Sequence, residues 1–190
     1  MGSFLSARNV PGPKRLQAPR RNPAQREFFF LSTQIRAQHN LPRFGAFMAD
    51  GISERGQWRE TWKGQAWDLV MTSPVPGVFL TRVSGHTDLD CALHLMRAFD
   101  RIGAITMGSL DVFHDWEAVT GYDSIVRQEL VRWSEENEKS GEVHVLVKSR
   151  LVAMGVSVAN AALGGKLVIY SDRAKFEAAR TETTMRKRRK

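Results

Sequence analysis

The sequence predicts an α/β domain, in which a mixed β-sheet begins with an antiparallel hairpin and carries helices packed on it. The order of elements is the main observation, because from residue 56 onward strand-like and helix-like runs follow one another as β-β-β-α-β-α-β-α-β-α. This alternation is typical of parallel strands joined by helical crossovers. The composition agrees, since 42% of the 190 residues are hydrophobic and 25% are charged, as in ordinary globular proteins.

Three strands are expected first. Residues 56–74 alternate aromatic and polar side chains around a turn at Lys63-Gly64-Gln65, which predicts a hairpin. Val78–Val83 is the third strand, and Ser84-Gly85 is expected to end it.

The first helix is expected after Thr87, which begins a capping-box pattern completed by Asp90. Gly103 is a natural helix terminator. Apolar residues at helical spacing mark the buried face. These are Leu89, Ala92, Leu93, Met96 and Phe99.

The rest of the domain repeats strand and helix. A strand over Ile105–Asp111 runs into a polar loop, and Asp123-Ser124 begins the next helix. The later elements follow from β-branched runs, apolar periodicity and glycine stops. They are a helix over Ser124–Glu138, a strand over Val143–Val147, a helix over Leu151–Leu163, a strand over Lys166–Tyr170 and a helix over Arg173–Arg180.

The net charge of +8 is concentrated at the two ends of the chain. Residues 1–47 hold eight Arg or Lys and one Glu, and five prolines, which predicts a disordered basic extension. Residues 181–190 hold five Arg or Lys and one Glu and are expected to form a basic tail. Residues 48–180, expected to form one domain, hold 15 basic and 18 acidic residues. A mildly acidic domain argues against specific nucleic-acid binding.

Met48 stands where the basic composition ends. A second interpretation is therefore that the extension arises from an upstream choice of start codon. Mass spectrometry of the native N-terminus separates the two, because a peptide spanning Gln34 to Phe47 excludes the later start.

The sequence also predicts a cytoplasmic location. No apolar stretch approaches the ~20 residues that span a bilayer. The single cysteine, Cys91, excludes an intramolecular disulfide and falls on the predicted buried face of the first helix.

The loop expected between Asp111 and Ser124 is the leading candidate for a binding site. It follows a strand, and open α/β sheets place their sites at the carboxyl ends of strands. Lys148-Ser149-Arg150 follows another strand and is expected at the same edge. The candidate partner-binding residues are Asp111, His114, Asp115, Trp116, Glu117, Tyr122, Asp123, Lys148, Ser149 and Arg150.

Catalytic, metal and cofactor sites are not predicted. His86, Asp88, Asp90 and His94 resemble a metal cluster, but two carboxylates at a helix start are better explained by capping and the helix dipole. His114 and nearby serines lack the nucleophile elbow of a hydrolase. Gly164-Gly165 precedes a strand, so it is not a phosphate-binding loop.

Residues 78–180 resemble the STAS family, and more narrowly its SpoIIAA-like branch, which is related to bacterial anti-sigma factor antagonists. The resembling segments are VFLTRVSGHTD, LDVFHDW, GYDS, VHVLVKS and VIYSDRAKFEAA. The resemblance implies a non-enzymatic, regulatory protein-binding module without a cofactor. It implies a partner of the regulatory-kinase or anti-sigma kind, and a phosphorylated serine that matches Ser124 here.

A different class of function stays open at this point. The branch is also compared with lipid-binding folds, so the chain could instead bind a lipid or another small ligand. The expected pocket lies between the sheet and the Leu151–Leu163 helix and is lined by Met154, Val156 and Val158.

Overall fold

A computed structural model describes residues 57–189 as one sheet with helices on both faces. The predicted extension over residues 1–47 and the alternative start at Met48 lie outside these residues. The strands are β1 Trp58–Lys63, β2 Trp67–Ser73, β3 Val78–Thr87, β4 Leu110–Tyr122, β5 Ser140–Val147 and β6 Leu167–Tyr170. The helices are α1 Leu89–Ile105, α2 Ser124–Glu136, α3 Arg150–Ala162 and α4 Arg173–Arg188.

The six strands lie side by side in the order in which the chain makes them. β1, β2 and β3 pair in antiparallel fashion, and the turn between the first two is closed by Gly64, whose N–H donates to the carbonyl of Trp67 at 2.9 Å. β3 to β6 are parallel. The predicted fold class, a mixed sheet that begins with a hairpin, is confirmed.

This order determines where the helices lie. Each crossover from β3 to β6 moves to the next strand in the same direction, and such crossovers share one hand, so their helices fall on the same face of the sheet. Accordingly α1, α2 and α3 cover one face. α4, which follows the last strand, packs on the opposite face through Phe176.

The two faces have separate cores. The larger core joins the sheet to α1 and α3 and contains fully buried residues such as Leu69, Phe79 and Phe99. The smaller core lies under α4 and consists of Val75, Val78, Phe113, Leu146 and Phe176. Within residues 57–189, no helix is long and apolar enough to cross a membrane.

The predicted loop after Asp111 is wrong, because these residues form most of β4. The predicted strand over Ile105–Asp111 is also misplaced, since Ile105 is the last residue of α1 and the strand begins at Leu110. Gly103 does not end α1 but lies buried in its last turn, where its carbonyl accepts from the N–H of Thr106 at 3.3 Å. The cap of α1 is Asp88 rather than Thr87.

The predicted end of the last helix at Arg180 is wrong as well. α4 continues to Arg188, so residues 181–188 are helical rather than part of a separate tail. Its last turn is tied to the sheet, because the Lys187 ammonium donates to the carbonyl oxygen of Ser109 at 3.1 Å. Much of the basic charge at the C-terminal end therefore belongs to the folded domain.

Candidate functional site

The four helices within residues 57–189 begin at the carboxyl edge of the parallel strands, but only two of these four are capped by side chains. Asp88 accepts from the N–H of Cys91 at the start of α1, and Asp172 accepts from those of Ala174 and Lys175 at the start of α4. The caps of α2 and α3, Asp123 and Ser149, make no such bond. The N-termini of α2 and α3 therefore keep free N–H groups and the positive end of the helix dipole.

The start of α2 is exposed. Asp123 turns away from the helix that it precedes, and its carboxylate lies 3.0 Å from His86 Nε2. Its backbone N–H donates to the carbonyl of Thr87 at 3.0 Å, which joins the end of β4 to the end of β3. Ser124, the predicted phospho-acceptor, is the first residue of α2 and is exposed.

The start of α3 presents both positive and apolar side chains to solvent. Lys148 and Arg150 are exposed, while Ser149 is half-buried. Leu151, Met154 and Val158 are 60%, 66% and 56% exposed and lie on one face of the helix at i, i+3 and i+7. Together with residues at the start of α2, they form what we call the edge surface. Its members are Ser124, Ile125, Lys148, Arg150, Leu151, Met154 and Val158.

Of the acidic candidates of β4, Glu117 alone reaches the edge surface, where its Oε1 lies 3.9 Å from Lys148 Nζ. Alternate residues of a strand face opposite sides, and Asp115 and Glu117 point to the face under α4. There the Arg173 guanidinium donates to Asp115 Oδ1 at 2.8 Å and to Glu117 Oε2 at 2.6 Å. Arg82 donates to the other oxygen of Asp115 at 3.0 Å. The prediction that these two carboxylates form an exposed binding rim is therefore wrong for Asp115, whose side chain is 10% exposed.

The charges in this cluster stabilise each other. Burial alone would raise the pKa of Asp115, but the hydrogen bonds from Arg173 and Arg82 outweigh it and hold the pKa below its ordinary value. The same bonds to Asp115 and Glu117 raise the pKa of Arg173. Both groups are thus ionised across the physiological range.

Asp111 is neutralised in the same way at the other end of α4. Its carboxylate lies 3.1 Å from Lys187 Nζ and 3.3 Å from Arg186 Nη2, and its side chain is 6% exposed. Its other oxygen accepts from the N–H of Glu142 at 3.2 Å. Asp111 lies near the start of β4, at the end of the sheet opposite the edge surface, so its predicted place at the binding edge is wrong.

The opposite face of β4 carries His114 and Trp116, which line a partly open cavity between the sheet and α1, α2 and α3. The cavity measures about 110 Å³. Its walls are mostly aliphatic, with Leu130 from α2 and Val152 from α3 among them. Tyr122 also lines it and packs against Gly155, where any side chain would collide with the phenol.

Two buried polar groups of the cavity, His114 and Cys91, are neutral. His114 is buried and its Nδ1 lies 2.7 Å from Thr81 Oγ1. Burial lowers the pKa of His114 to about 3, so the imidazole is uncharged at neutral pH. Burial, followed by the charges of Asp88 and Asp90, raises the pKa of the Cys91 thiol to about 12. This thiol is therefore not a nucleophile.

The predicted small-ligand pocket is only partly placed correctly. A cavity does lie between the sheet and α3, and Val156 lines it. Met154 and Val158 are on the opposite, exposed side of α3. The lining residues of this helix are instead Val152, Gly155, Val156, Ala159 and Leu163.

The residues that resemble a metal cluster are not gathered into one. Asp88 caps α1 and also accepts from the Trp67 indole at 2.8 Å, while His86 faces Asp123. His94 stacks on Trp62 with ring centres 3.7 Å apart. Within the described residues, no group of three or more His, Cys, Asp or Glu side chains is arranged to hold a metal ion.

The candidate residues therefore fall into three places. Ser124, Lys148 and Arg150 lie at the edge surface, and His114, Trp116 and Tyr122 line the cavity. Asp111 and Asp115 are covered by α4, while Glu117 contacts both Arg173 of α4 and Lys148 of the edge surface. Arg173 was missed, although it links two of the candidates. The period-two alternation of Asp111–Glu117 was the available signal, because it is typical of a strand with two different faces.

The sequence matches no model of a known protein family and no curated protein. Solved structures that are similar to the chain include the following two. One is an anti-sigma factor antagonist from Mycobacterium paratuberculosis, at 17% identity over 67% of this chain and 96% of its own, with a TM-score of 0.42. The other is a DUF3478 protein with a SpoIIAA-like fold from Shewanella loihica PV-4, at 10% identity over 64% of this chain and 91% of its own, also with a TM-score of 0.42. At these identities and TM-scores, neither likeness decides what this chain binds.

Proposed function

We propose that this chain is a non-enzymatic, cytoplasmic regulatory module that binds a partner protein through the edge surface. The observation that carries the proposal is the exposed apolar stripe of α3. Leu151, Met154 and Val158 lie on one helix face, each more than half exposed. A helix of this kind normally buries its apolar stripe, and a contiguous exposed one is typical of a protein-binding surface.

The charges around the stripe indicate the chemistry of the partner. Lys148 and Arg150 border it, and Arg150 makes no ion pair with any described residue. The uncapped N-termini of α2 and α3 add positive potential. A partner with an apolar centre and acidic groups around it would complement this surface in both respects.

Ser124 supplies a means of regulation. It is exposed at the first position of α2, beside Ile125, so a kinase can reach it without unfolding the domain. A phosphate there would accept hydrogen bonds from the free N–H groups of the helix start. It would also place about two negative charges on a surface that attracts an acidic partner, and we propose that this releases the partner.

Partner capture from the native cell tests the proposed surface. Full-length protein and its Met154→Glu variant are used as baits, with Met107→Glu as the matched control, because Met107 is 99% exposed near the opposite end of the sheet. We expect one captured protein to fall at least tenfold with Met154→Glu and to be unchanged with Met107→Glu. The purified partner should then show the same difference in Kd. Equal affinity of that partner for both variants would reject the edge surface.

The proposed phosphorylation switch at Ser124 is tested separately, by comparing the partner's affinity for Ser124 variants. The purified partner should bind Ser124→Ala like the wild type and bind Ser124→Asp several-fold more weakly. Thr181→Asp is the control, because Thr181 is exposed on α4, which packs on the face of the sheet opposite to α2 and α3. If the two aspartate variants bind equally well, Ser124 is not a switch.

A further inference from the structure

The cavity under α1, α2 and α3 contains a buried hydrogen-bond donor that the fold does not use. Trp116 Nε1 is inaccessible to solvent and has no acceptor among the described residues. A buried N–H without a partner is destabilising, so it is uncommon in a folded core. The other tryptophan in the lining is satisfied, because Trp133 Nε1 donates to Asp100 at 3.3 Å.

The remainder of the cavity defines what can meet that donor. Its volume is about 110 Å³, and the walls are aliphatic apart from a few polar groups. An engineered aliphatic cavity of about 150 Å³ admits benzene, so a single six-membered ring is near the upper limit here. His114 and Cys91 are neutral, and Arg127, the charged residue of the lining within the described chain, is itself partly exposed.

We infer that this cavity is a binding site for a small neutral molecule, about the size of one six-membered ring, that carries a hydrogen-bond-accepting oxygen. The ring would pack against the aliphatic walls, and the oxygen would accept from Trp116 Nε1 after a small displacement of the indole, because this atom is inaccessible to a water-sized molecule in the structure. Because Nδ1 of His114 is already engaged by Thr81, Nε2 is the imidazole nitrogen left for a second polar contact.

The position of the cavity suggests why such a ligand would matter. Val126 and Val152 lie in the first turns of α2 and α3 and line it. These are the same turns that carry Ser124 and Leu151 of the edge surface on their outer side. A bound molecule would therefore support from beneath the two helix starts exposed at the edge.

Phenol and benzene form a matched pair of probes, because they share a ring and only phenol has the oxygen. The full-length protein is titrated with each while the five tryptophan indole N–H signals are followed by NMR. We expect phenol to saturate and to shift the Trp116 signal more than the others. Benzene should bind about fivefold more weakly, the equivalent of one neutral hydrogen bond.

Three variants distinguish the contribution of the Trp116 N–H donor from that of the cavity volume. Trp116→Phe should reduce phenol affinity to that of benzene, whereas Trp133→Phe should leave the difference between the probes intact. Ala159→Leu, which fills the cavity from α3, should abolish binding of both. The inference is overturned if phenol leaves the indole signals unchanged or binds Trp116→Phe as well as the wild type. If benzoate binds more tightly than phenol, the inference that the ligand is a neutral molecule is wrong.

Discussion

The two faces of β4 solve the problem of buried polar groups in different ways. On the face under α4, the carboxylates of Asp111 and Asp115 form ion pairs with cations of α4. On the face under α1–α3, His114 and Trp116 are neutral, and the indole N–H is left without an acceptor. The carboxylates on the first face have partners within that face, whereas the second face has a cavity and a donor without an acceptor.

This difference shows why a concentration of acidic residues is a poor guide to a binding site. The carboxylates that drew attention in the sequence are held by Arg173, Arg186 and Lys187 and contribute to structure. The exposed stripe on α3 and the cavity behind it involve residues of ordinary chemistry, such as Met154 and Val156. Function is better sought where polar or apolar groups lack partners than where charges are dense.

The largest expected effect is on the face covered by α4. Phe176 is 1% exposed and contacts Phe113 and Tyr170 edge-on, with ring centres 5.7 Å apart in both pairs. Phe176→Ala should lower the free energy of unfolding by about 3–5 kcal/mol, because the cavity left behind cannot collapse fully. Urea denaturation measures this. Met185→Ala, an exposed change on the same helix, should stay within about 0.5 kcal/mol.

Lowering the pH should reduce stability first through His114, on the face of the sheet under α1–α3. The unfolded chain protonates His114 near its ordinary pKa of 6.5, whereas the folded protein does so only near 3. The unfolded state therefore binds more protons in between, and stability falls as the pH drops from 6.5 towards 3. The loss should be roughly 3 kcal/mol by pH 4.

The contribution of His114 is isolated by substitution. His114→Gln should flatten the fall in stability between pH 6.5 and pH 4, and His86→Gln, at an exposed position, should not. An unchanged slope in His114→Gln would contradict the assignment. Asp115 affects stability at lower pH than His114 does. Its pKa lies below the ordinary value of 3.8, so the carboxylate is protonated, and its ion pairs are lost, only below pH 3.8.

A smaller effect is expected from the ion pairs themselves. Arg173→Met should lower the free energy of unfolding by about 2 kcal/mol, because Asp115 stays buried and keeps Arg82 as its one cationic partner among the described residues. Arg132→Met is the control, since Arg132 pairs with Glu129 at the surface and should cost less than about 0.5 kcal/mol. Equal costs for the two variants would show that the α4 face is no more dependent on charge than the surface.

Most of the fold was predictable because its elements are locally encoded. The hairpin, the four helix positions and the strands at Val78 and Val143 follow from alternation, periodicity and glycine or aspartate boundaries. β4 was misread because Asp111, Asp115 and Glu117 are polar, and polar runs usually form loops. What makes them acceptable in a strand is Arg173 and Arg186, which lie 56 to 75 residues away in the chain.

The site was less predictable for the same reason. Ser124, Lys148 and Arg150 could be assigned to one edge, because the carboxyl ends of parallel strands meet there. That Met154 and Val158 face solvent while Val156 faces the cavity depends on how α3 is rotated against the sheet. The sequence of α3 is apolar on most sides, so its periodicity does not specify that rotation.

The strictly sequential strand order has a consequence for how the protein is made. Each strand pairs only with neighbours that come directly before and after it in the chain, so the sheet can grow strand by strand as synthesis proceeds. α4 is the exception, because it emerges last and covers strands made much earlier. Until it leaves the ribosome, Phe113 and the carboxylates of Asp111 and Asp115 stay uncovered on the nascent sheet.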